Sequence, residues 1–405
     1  MPKKVLLIIL DGIADEITDK GTPLQNAFKQ YLDFMTKNGV SGLLENKSEI
    51  NDSGLSTLSL LGYGKQDYPG RGYLEALGIG LKPIPGSVYL RANFATVKES
   101  PKINMDTGEI EKKFVVEDRR SGRDKSGLFE IAKDIKEFFL DGVKVEFYKS
   151  LGHRGVVVLS SMNLSSDVSD TDPMEDGKNV LDIKHLSNDE RSIKTATALR
   201  KFIEESHKIL KNHPQNRYRE KPANFILLRG ASTSKSVSSF KDKYGFIGGC
   251  VAGSPVIKGL AKHLELETLD ISGVTADTKT NLTEKTLKAL DLLRKKNFVV
   301  LHIKGFDEVS HDKNPEFKRL FIEKVDREVF KRVMEYANLE KTLVAVASDH
   351  VTSSKTGKHV PGFVPFTIFS RGLNPNGIQS FNEISCRMGS VIQTEDFMEE
   401  ILKNI

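Results

Sequence analysis

The feature that most constrains the fold of this chain is a set of short, wholly apolar segments, each ending at a polar residue or a glycine. They are VLLIIL (5–10), VVVL (156–159), FILL (225–228), FVVLHI (298–303) and LVAVA (343–347). Segments that do not alternate apolar with polar residues are typical of strands buried on both faces, as in parallel sheets covered by helices. They predict an α/β fold with its site outside the carboxyl ends of the strands.

Segments with a helical period lie between these strands. They are 128–140, 192–210, 283–296 and 314–336. This alternation favours a mostly parallel sheet between helices, joined by right-handed connections.

The middle of the chain, from about Arg91 to Ala231, differs from the rest in its pattern of charged and polar residues. It contains the charged stretch 117–123 and the polar stretch 165–178. We therefore expect a smaller α/β (α+β) domain, residues 86–232, inserted into a discontinuous core domain of residues 1–85 and 233–405.

Composition argues against several classes of protein. The 60 Lys+Arg and 55 Asp+Glu residues leave a net charge of +5, which is not gathered into basic tails and argues against nucleic acid as a partner. Only Cys250 and Cys386 occur, so we expect no disulfide framework and a reducing compartment. The segment 5–10 is too short for a signal peptide or a membrane span. We expect a cytoplasmic protein without a membrane partner, and whether it forms a homo-oligomer stays open.

Carboxylates and imidazoles follow three of the predicted strands. They are Asp11 after 5–10, Asp307 and His311 after 298–303, and Asp349, His350 and His359 after 343–347. Each has a simpler interpretation: Asp11 as a turn or capping residue, 307–311 as a solvated loop, and the histidines as structural residues. Their common position after strands of one sheet favours oxygen and nitrogen ligands of divalent metal ions.

Ser53 precedes the apolar stretch LSLL (58–61), at the head of a predicted helix. A serine in this position is usually an N-cap. Helix N-termini also bind anions, and a metal ion beside a serine hydroxyl lowers its pKa enough for attack on phosphorus. Ser53 is therefore also a candidate nucleophile.

Several motifs together carry a resemblance that covers nearly the whole chain. They are LLIILDG (6–12), Ser53 before LSLLGYG (58–64), GRGYLEALG (70–78), DTDP (170–173), HPQNR (213–217), PANFILLRGAS (222–232), Lys258-Gly259, HIKGFDEVSH (302–311), SDH (348–350) and His359. In this order they resemble the archaeal-type, cofactor-independent phosphoglycerate mutases of the alkaline phosphatase superfamily.

The resemblance implies an alkaline-phosphatase-like core, a phosphoglycerate substrate and two divalent ions (manganese, magnesium, cobalt or zinc), without 2,3-bisphosphoglycerate. The implied ligands are Asp11, Ser53, Asp349 and His350 for one ion and Asp307, His311 and His359 for the other. Ser53 would become phosphoserine, and the inserted domain would act as a closing lid. The candidate substrate-binding cations are Arg119, Arg123, Arg154 and Arg229, with Lys258 from the core.

One segment departs from the family pattern. The family usually has S-D-T-A-H, whereas this chain has Gly54 in place of the acidic residue and Thr57 in place of the histidine. This puts in doubt the support around the site, and hence the rate and the choice of substrate.

Other functions on the same core stay open. They are a metal-dependent phosphomonoesterase, a phosphopentomutase or sulfatase-like hydrolase, and a non-catalytic metal-holding descendant of a mutase. HPQNR, DTDP and GRGYLEALG favour the mutase, and the Ser53 segment lacks the C/S-x-P-x-R context of a sulfatase.

Overall fold

The computed structural model describes residues 3–46, 52–100, 102–103, 110–111 and 113–405. The strands are β1 (Lys4–Leu10), β2 (Val40–Asn46), β3 (Val88–Glu99), β4 (Lys102–Ile103), β5 (Ile110–Glu111), β6 (Phe114–Asp118), β7 (Glu137–Leu140), β8 (Val143–Lys149), β9 (Arg154–Ser160), β10 (Phe225–Thr233), β11 (Gly248–Val251), β12 (Glu267–Thr268), β13 (Phe298–Ile303), β14 (Thr342–Ala347), β15 (Val351–Thr352), β16 (His359–Val360), β17 (Gly362–Phe369) and β18 (Ser390–Gln393).

The α-helices are α1 (Pro23–Asn26), α2 (Gln30–Lys37), α3 (Ser53–Leu60), α4 (Arg71–Gly78), α5 (Leu128–Asp134), α6 (Glu190–Lys211), α7 (Phe240–Tyr244), α8 (Pro255–His263), α9 (Leu282–Lys295), α10 (Gly305–His311), α11 (Pro315–Val325), α12 (Lys331–Tyr336) and α13 (Phe397–Lys403). A π-helical stretch, Asp326–Phe330, joins α11 to α12. Short 3-10 helices span Lys65–Asp67, Ser121–Arg123, Pro214–Tyr218, Ser385–Met388 and Thr394–Asp396. Within the described ranges, no helix has the length and apolar character needed to cross a membrane.

The predicted helix over 128–140 is wrong in its second half. Helix α5 ends at Asp134, and β7 follows as an antiparallel partner of β8. In β7 the side chains alternate between exposed and half-buried, and Phe138 packs against Phe202 of α6. Strand pairing and this aromatic contact outweigh the local helical period.

Contacts divide the chain into two compact units, residues 1–68 with 236–405 and residues 69–235. From the sequence we expect residues 69–85 in the core domain. In the structure α4, which lies in this stretch, packs on β3 and β10 and belongs to the second unit.

The first unit contains an eight-stranded sheet with the order β12-β11-β13-β1-β14-β17-β2-β18. All neighbours pair in parallel except β17, which is antiparallel to β14 and β2. The prediction of an α/β fold with a mostly parallel sheet is confirmed.

Strand β1 lies inside this sheet because all its apolar residues can be buried. Leu6, Ile8 and Leu10 belong to a core that includes residues of α9 and α11. The alternate residues, which face the other side of the sheet, are also fully buried. A strand covered on both faces holds its carboxyl end rigidly, and the first polar residues after it are positioned accordingly.

The second unit contains an antiparallel sheet with the order β10-β3-β9-β8-β7, and β6 also pairs with β3. The apolar segments 156–159 and 225–228 lie in β9 and β10, so their expected place in a parallel sheet is wrong. Both faces of this sheet are nevertheless covered. One face packs against α5 and α6, and on the other Phe225 and Leu227 pack with Val116.

Burial of a lysine in α9 gives a prediction about stability. Lys285 is 1% exposed, and burial lowers the pKa of its ammonium group to about 8. Since the unfolded value is about 10.4, the folded state is penalised below pH 8 and this penalty disappears as the pH rises towards 10.4. We expect Lys285→Met to raise the melting temperature at pH 7 by about 5 °C, and by less at pH 9.5.

Scanning calorimetry at both pH values measures this difference. Lys288→Met, at a half-exposed position of the same helix, is the control and should change the melting temperature little. An equal gain at both pH values for Lys285→Met would contradict an ionisation penalty.

Candidate functional site

The carboxyl ends of β13, β1 and β14 lie side by side in the first unit. Leu10 pairs with Ile303, and Ile9 pairs with Ala347. The Asp11 N–H continues this ladder by donating to the Ile303 carbonyl at 2.9 Å. The residues that follow the three strands therefore begin at one edge of the sheet.

The turn after β1 requires glycine. Gly12 has φ +71°, and a Cβ there would lie 2.6 Å from Thr352 Oγ1 and 3.0 Å from Asp307 Cα. The Gly12 N–H donates to Asp349 Oδ1 at 3.1 Å. The turn thus orients one candidate ligand and allows a second to approach closely.

Asp307, His311 and His359 form one group of candidate ligands. Asp307 and His311 are four residues apart on α10, and Asp307 Oδ1 lies 3.3 Å from His311 Nε2 and 3.0 Å from His359 Nε2. His311 Nδ1 donates to the Gly357 carbonyl at 2.7 Å, which directs Nε2 towards the carboxylate.

Asp11, Asp349 and His350 form a second, adjoining group. His350 Nε2 lies 3.2 Å from Asp11 Oδ1 and 3.5 Å from Asp349 Oδ2. A further histidine, His302 near the end of β13, has its Nε2 3.3 Å from Asp11 Oδ2. All four side chains are buried, and the rings of His350 and His359 stack with centroids 4.0 Å apart, so the two groups are continuous.

Ser53 is the first residue of α3 and belongs to the same cluster. The helix begins here because Asp52 caps it, its Oδ1 accepting the Gly54 N–H at 2.8 Å. Ser53 Oγ accepts a hydrogen bond from Lys304 Nζ at 3.2 Å, and the same ammonium group donates to Asp11 Oδ2 at 2.9 Å.

The cluster has the chemistry of a divalent cation site. Among the described residues, several of its buried atoms have no hydrogen-bond partner: Asp11 Oδ1, both ring nitrogens of His302, His350 Nε2 and His359 Nδ1. Such atoms are costly to bury unsatisfied. Ligand atoms in each of three overlapping triads lie within 4.8 Å of one another, and the triads are Asp307–His311–His359, Asp11–His302–Asp349 and Asp11–Asp307–His350. Oxygen and imidazole donors of this kind fit two divalent metal ions.

Electrostatic interactions within the cluster shift the pKa values of two neighbouring carboxylates in opposite directions. Burial and the charge of Asp11 raise the pKa of Asp349 to about 7. Burial also opposes ionisation of Asp11, but Lys304, His302 and His350 outweigh it and hold the pKa of Asp11 well below its usual range. Two like charges this close cannot both ionise easily unless added positive charge accompanies them.

The second unit contains a cluster of opposite charge. The guanidinium groups of Arg71, Arg91, Arg154 and Arg229 interact electrostatically with the Glu75 carboxylate of α4. Glu75 Oε1 lies 3.4 Å from Arg71 Nε and 3.5 Å from Arg91 Nη1. Although burial favours the neutral carboxyl, the arginines lower the pKa of Glu75 and keep it ionised.

This arginine cluster has unused hydrogen-bonding capacity. Arg91 is 4% exposed, yet its Nε and Nη1 have no hydrogen-bond partner within the described chain, and neither has Arg229 Nε. Burial and the neighbouring arginines lower the pKa of Arg91 well below its usual value. The buried donor atoms of Arg91 and Arg229 that lack a hydrogen-bond partner make the cluster suited to bind an anion.

The two other predicted arginines of this unit lie beside a cavity of about 410 Å³. Arg119 forms a two-point contact with Asp172 of the DTDP motif, at 2.6 and 2.7 Å. The Met174 sulfur contacts both Arg119 and Arg229, which connects the cavity to the arginine cluster. Arg123 lines the same cavity on the 3-10 turn that ends at it.

Lys258, the predicted cation of the first unit, lies on α8, which packs against α3. Its Nζ forms an ion pair with the exposed carboxylate of Asp270 at 2.7 Å. The described contacts therefore place Lys258 beside the Ser53 helix, not among the candidate metal ligands.

Comparison with known proteins agrees with this geometry. A sequence profile described as 2,3-bisphosphoglycerate-independent phosphoglycerate mutase matches residues 36–216. Mutases of this name from Methanocaldococcus jannaschii and Methanopyrus kandleri are 36% and 37% identical, covering 98% and 96% of this chain and 96% and 93% of their own lengths. The chain belongs to this family.

Solved structures support the same assignment. A Pyrococcus horikoshii protein superposes with a TM-score of 0.79 at 25% identity, over 100% of this chain and 97% of its own. A cofactor-independent phosphoglycerate mutase from Thermoplasma acidophilum gives a TM-score of 0.65 at 30% identity, over 99% of both chains. The family predicted from the motifs is therefore confirmed.

The two departures from the family pattern lie on α3, beside Ser53. A Cβ at Gly54 would lie 3.0 Å from Asp52 Oδ1 and 3.1 Å from Val256 Cγ2, so a larger residue would require its neighbours to move. Thr57 is 1% exposed, and in the described structure its Oγ1 has no hydrogen-bond partner. Both positions lie on the helix that presents the serine, and neither is among the grouped ligand atoms.

Some residues of these clusters were not singled out from the sequence. They are His302, Lys304, Arg71, Arg91 and Glu75. His302 and Lys304 lie in the HIKG motif, and a histidine inside an apolar strand is a signal that could have identified the first. Arg71 and Glu75 lie four residues apart in GRGYLEALG, a spacing that pairs opposite charges on one helix.

The position of Asp349 gives a prediction about metal binding. Asp349→Asn removes one of three clustered carboxylates, so we expect the affinity for manganese to fall at least tenfold, by about 1.4 kcal/mol or more. Isothermal titration and metal analysis after dialysis measure it, with the exposed Asp291→Asn as control. Unchanged manganese affinity would remove Asp349 from the site.

Proposed function

We propose that this chain is an isomerase that interconverts 3-phosphoglycerate and 2-phosphoglycerate without 2,3-bisphosphoglycerate, through phosphoserine at Ser53. The observation that carries the proposal is the position of Ser53 Oγ at the head of α3. The Lys304 ammonium group donates a hydrogen bond to this oxygen and another to the candidate ligand Asp11. The family's relatives bear the name of this activity. We also propose that it acts in the cytoplasm.

The proposed site holds two divalent cations, manganese, magnesium, cobalt or zinc. Asp11, Ser53, Asp349 and His350 would hold one, and Asp307, His311 and His359 the other. His302 extends the first set, since its Nε2 lies as close to Asp11 as that of His350 does. Bound ions of this kind act as Lewis acids, lower the pKa of a coordinated hydroxyl and neutralise phosphoryl oxygens.

Ser53 carries the phosphoryl group between two hydroxyls of the same glycerate. In the first transfer a bond forms between Ser53 Oγ and phosphorus, the bond to the glycerate oxygen breaks, and the serine proton ends on that oxygen. In the second transfer the other glycerate hydroxyl attacks phosphoserine and Ser53 regains its proton. The N-terminus of α3 favours the negative charge of the phosphoryl group.

The arginine cluster of the second unit is proposed to bind the anionic groups of phosphoglycerate. Arg229, Arg154, Arg91 and Arg71 supply planar donors for phosphate and carboxylate, and the N–H groups of Arg91 and Arg229 that lack a hydrogen-bond partner among the described residues would gain one. Arg119 and Arg123 are proposed as further contacts, and Lys258 as a cation for the phosphoryl group. We assign to this unit the role of a lid that excludes water between the two transfers.

Replacement of the nucleophile tests the reaction. We expect the parent chain, with added manganese and no 2,3-bisphosphoglycerate, to convert 3-phosphoglycerate to 2-phosphoglycerate, and Ser53→Ala to lower the rate by about 10⁴-fold or more. Phosphorus NMR follows substrate, product and free phosphate together. Intact mass of the parent should show a phosphoryl adduct that Ser53→Ala lacks.

Ser59→Ala, at another buried serine of α3, is the matched control and should retain activity. Free phosphate in place of 2-phosphoglycerate would assign the chain to the metal-dependent phosphomonoesterases. Metal binding without turnover of either kind would favour the non-catalytic descendant.

Removal of one arginine tests the anion site. Arg229→Met should raise the KM for 3-phosphoglycerate about tenfold or more, because a charge-assisted contact contributes about 1.5–3 kcal/mol, with a smaller change in kcat. Steady-state kinetics measure both constants. Arg191→Met, at an exposed position of the same unit, should leave them unchanged. An unaltered KM for Arg229→Met would exclude Arg229 from substrate binding.

A further inference from the structure

Lys304 lies where the two groups of candidate ligands meet the proposed nucleophile. It is the single residue between β13 and α10, and its side chain is 14% exposed. Its Nζ donates to Asp307 Oδ2 at 2.7 Å, to Asp11 Oδ2 at 2.9 Å and to Ser53 Oγ at 3.2 Å. One ammonium group therefore contacts a carboxylate of each candidate metal group and the reacting oxygen.

Lys304 contacts Oδ2 of both carboxylates, whereas His311, His359 and His350 lie beside the Oδ1 atoms. Asp307 Oδ1 faces His311 and His359, while its Oδ2 faces Lys304. Asp11 Oδ1 faces His350, while its Oδ2 faces Lys304 and His302. Lys304 thus leaves Oδ1 of each carboxylate directed at histidines of the candidate ligand groups.

The contact with Ser53 has a consequence for both transfers. Negative charge develops on Oγ when the serine attacks, and again when Oγ leaves phosphorus in the second transfer. An ammonium group 3.2 Å away in a buried site stabilises that charge without giving up its own proton, because a preformed charge-assisted donor needs no reorganisation. The proton and bond changes remain those of the serine and the glycerate hydroxyls.

We propose that Lys304 is a further catalytic residue, which holds Ser53 Oγ and stabilises its negative charge as it attacks and as it leaves. The proposal rests on the function proposed above, since it assigns a role in phosphoryl transfer at Ser53. A purely structural lysine would neutralise the two aspartates alone, and the contact with Ser53 is what separates the two roles.

Three variants test the proposal: Lys304→Met removes the charge, Lys304→Arg keeps it, and Lys288→Met is a control at a half-exposed position of α9. Each is assayed with manganese for mutase turnover, for hydrolysis of p-nitrophenyl phosphate, for the phosphoserine adduct by intact mass, and for manganese bound per chain. We expect Lys304→Met to lower kcat about 10²-fold or more, with little change in KM and with manganese bound as in the parent. The rate of phosphoserine formation should fall with kcat, Lys304→Arg should recover part of both, and Lys288→Met should match the parent.

Several outcomes would overturn the proposal. They are a Lys304→Met chain whose rates stay within about threefold of the parent, loss of bound manganese in proportion to lost activity, or equal losses in Lys304→Met and Lys304→Arg. If the parent hydrolyses p-nitrophenyl phosphate through Ser53 without forming 2-phosphoglycerate, only the proposed mutase activity is contradicted. The role of Lys304 is then tested by comparing the hydrolysis rates of the Lys304 variants with that of the parent. A parent that forms no phosphoserine from either compound overturns both proposals.

Discussion

The carboxylates of Asp11, Asp307 and Asp349 are buried together. The site depends on the attraction between these carboxylates and the positive charges that must accompany them. Lys304 supplies part of that charge to Asp11 and Asp307. Burial and the charge of Asp11 raise the pKa of Asp349 to about 7. Divalent cations would complete the balance, which gives a physical reason for metal ions in a member of this mutase family.

The arginine cluster of the second unit presents the same problem with the opposite sign. Four guanidinium groups interact with the Glu75 carboxylate, and the buried Arg91 has two nitrogen atoms, Nε and Nη1, without a hydrogen-bond partner among the described residues. Burying such charge lowers stability unless a ligand provides counter-charge. The described residues of the first unit are therefore suited to bind cations, and those of the second unit are suited to bind anions.

Much of this could be predicted from local sequence. The segments 5–10, 298–303 and 343–347 identify strands because a strand covered on both faces must be continuously apolar, and the polar residues after them must then lie at a sheet edge. Asp11, Asp307 and Asp349 follow directly from that rule. The same rule could not give the pairing direction of 156–159 and 225–228, because an antiparallel sheet with two covered faces produces an identical pattern.

The sequence by itself determined the strand–helix alternation, the types of ligand and their place after strands, since each is encoded within a few neighbouring residues. Only the tertiary structure decided that Lys304 reaches Asp11, 293 positions away, and that His302 of the neighbouring strand β13 contacts Asp11. It also decided that Arg91 and Arg229 share one carboxylate on α4. Proximity between distant segments depends on the register of strands and the packing of helices, which no local pattern specifies.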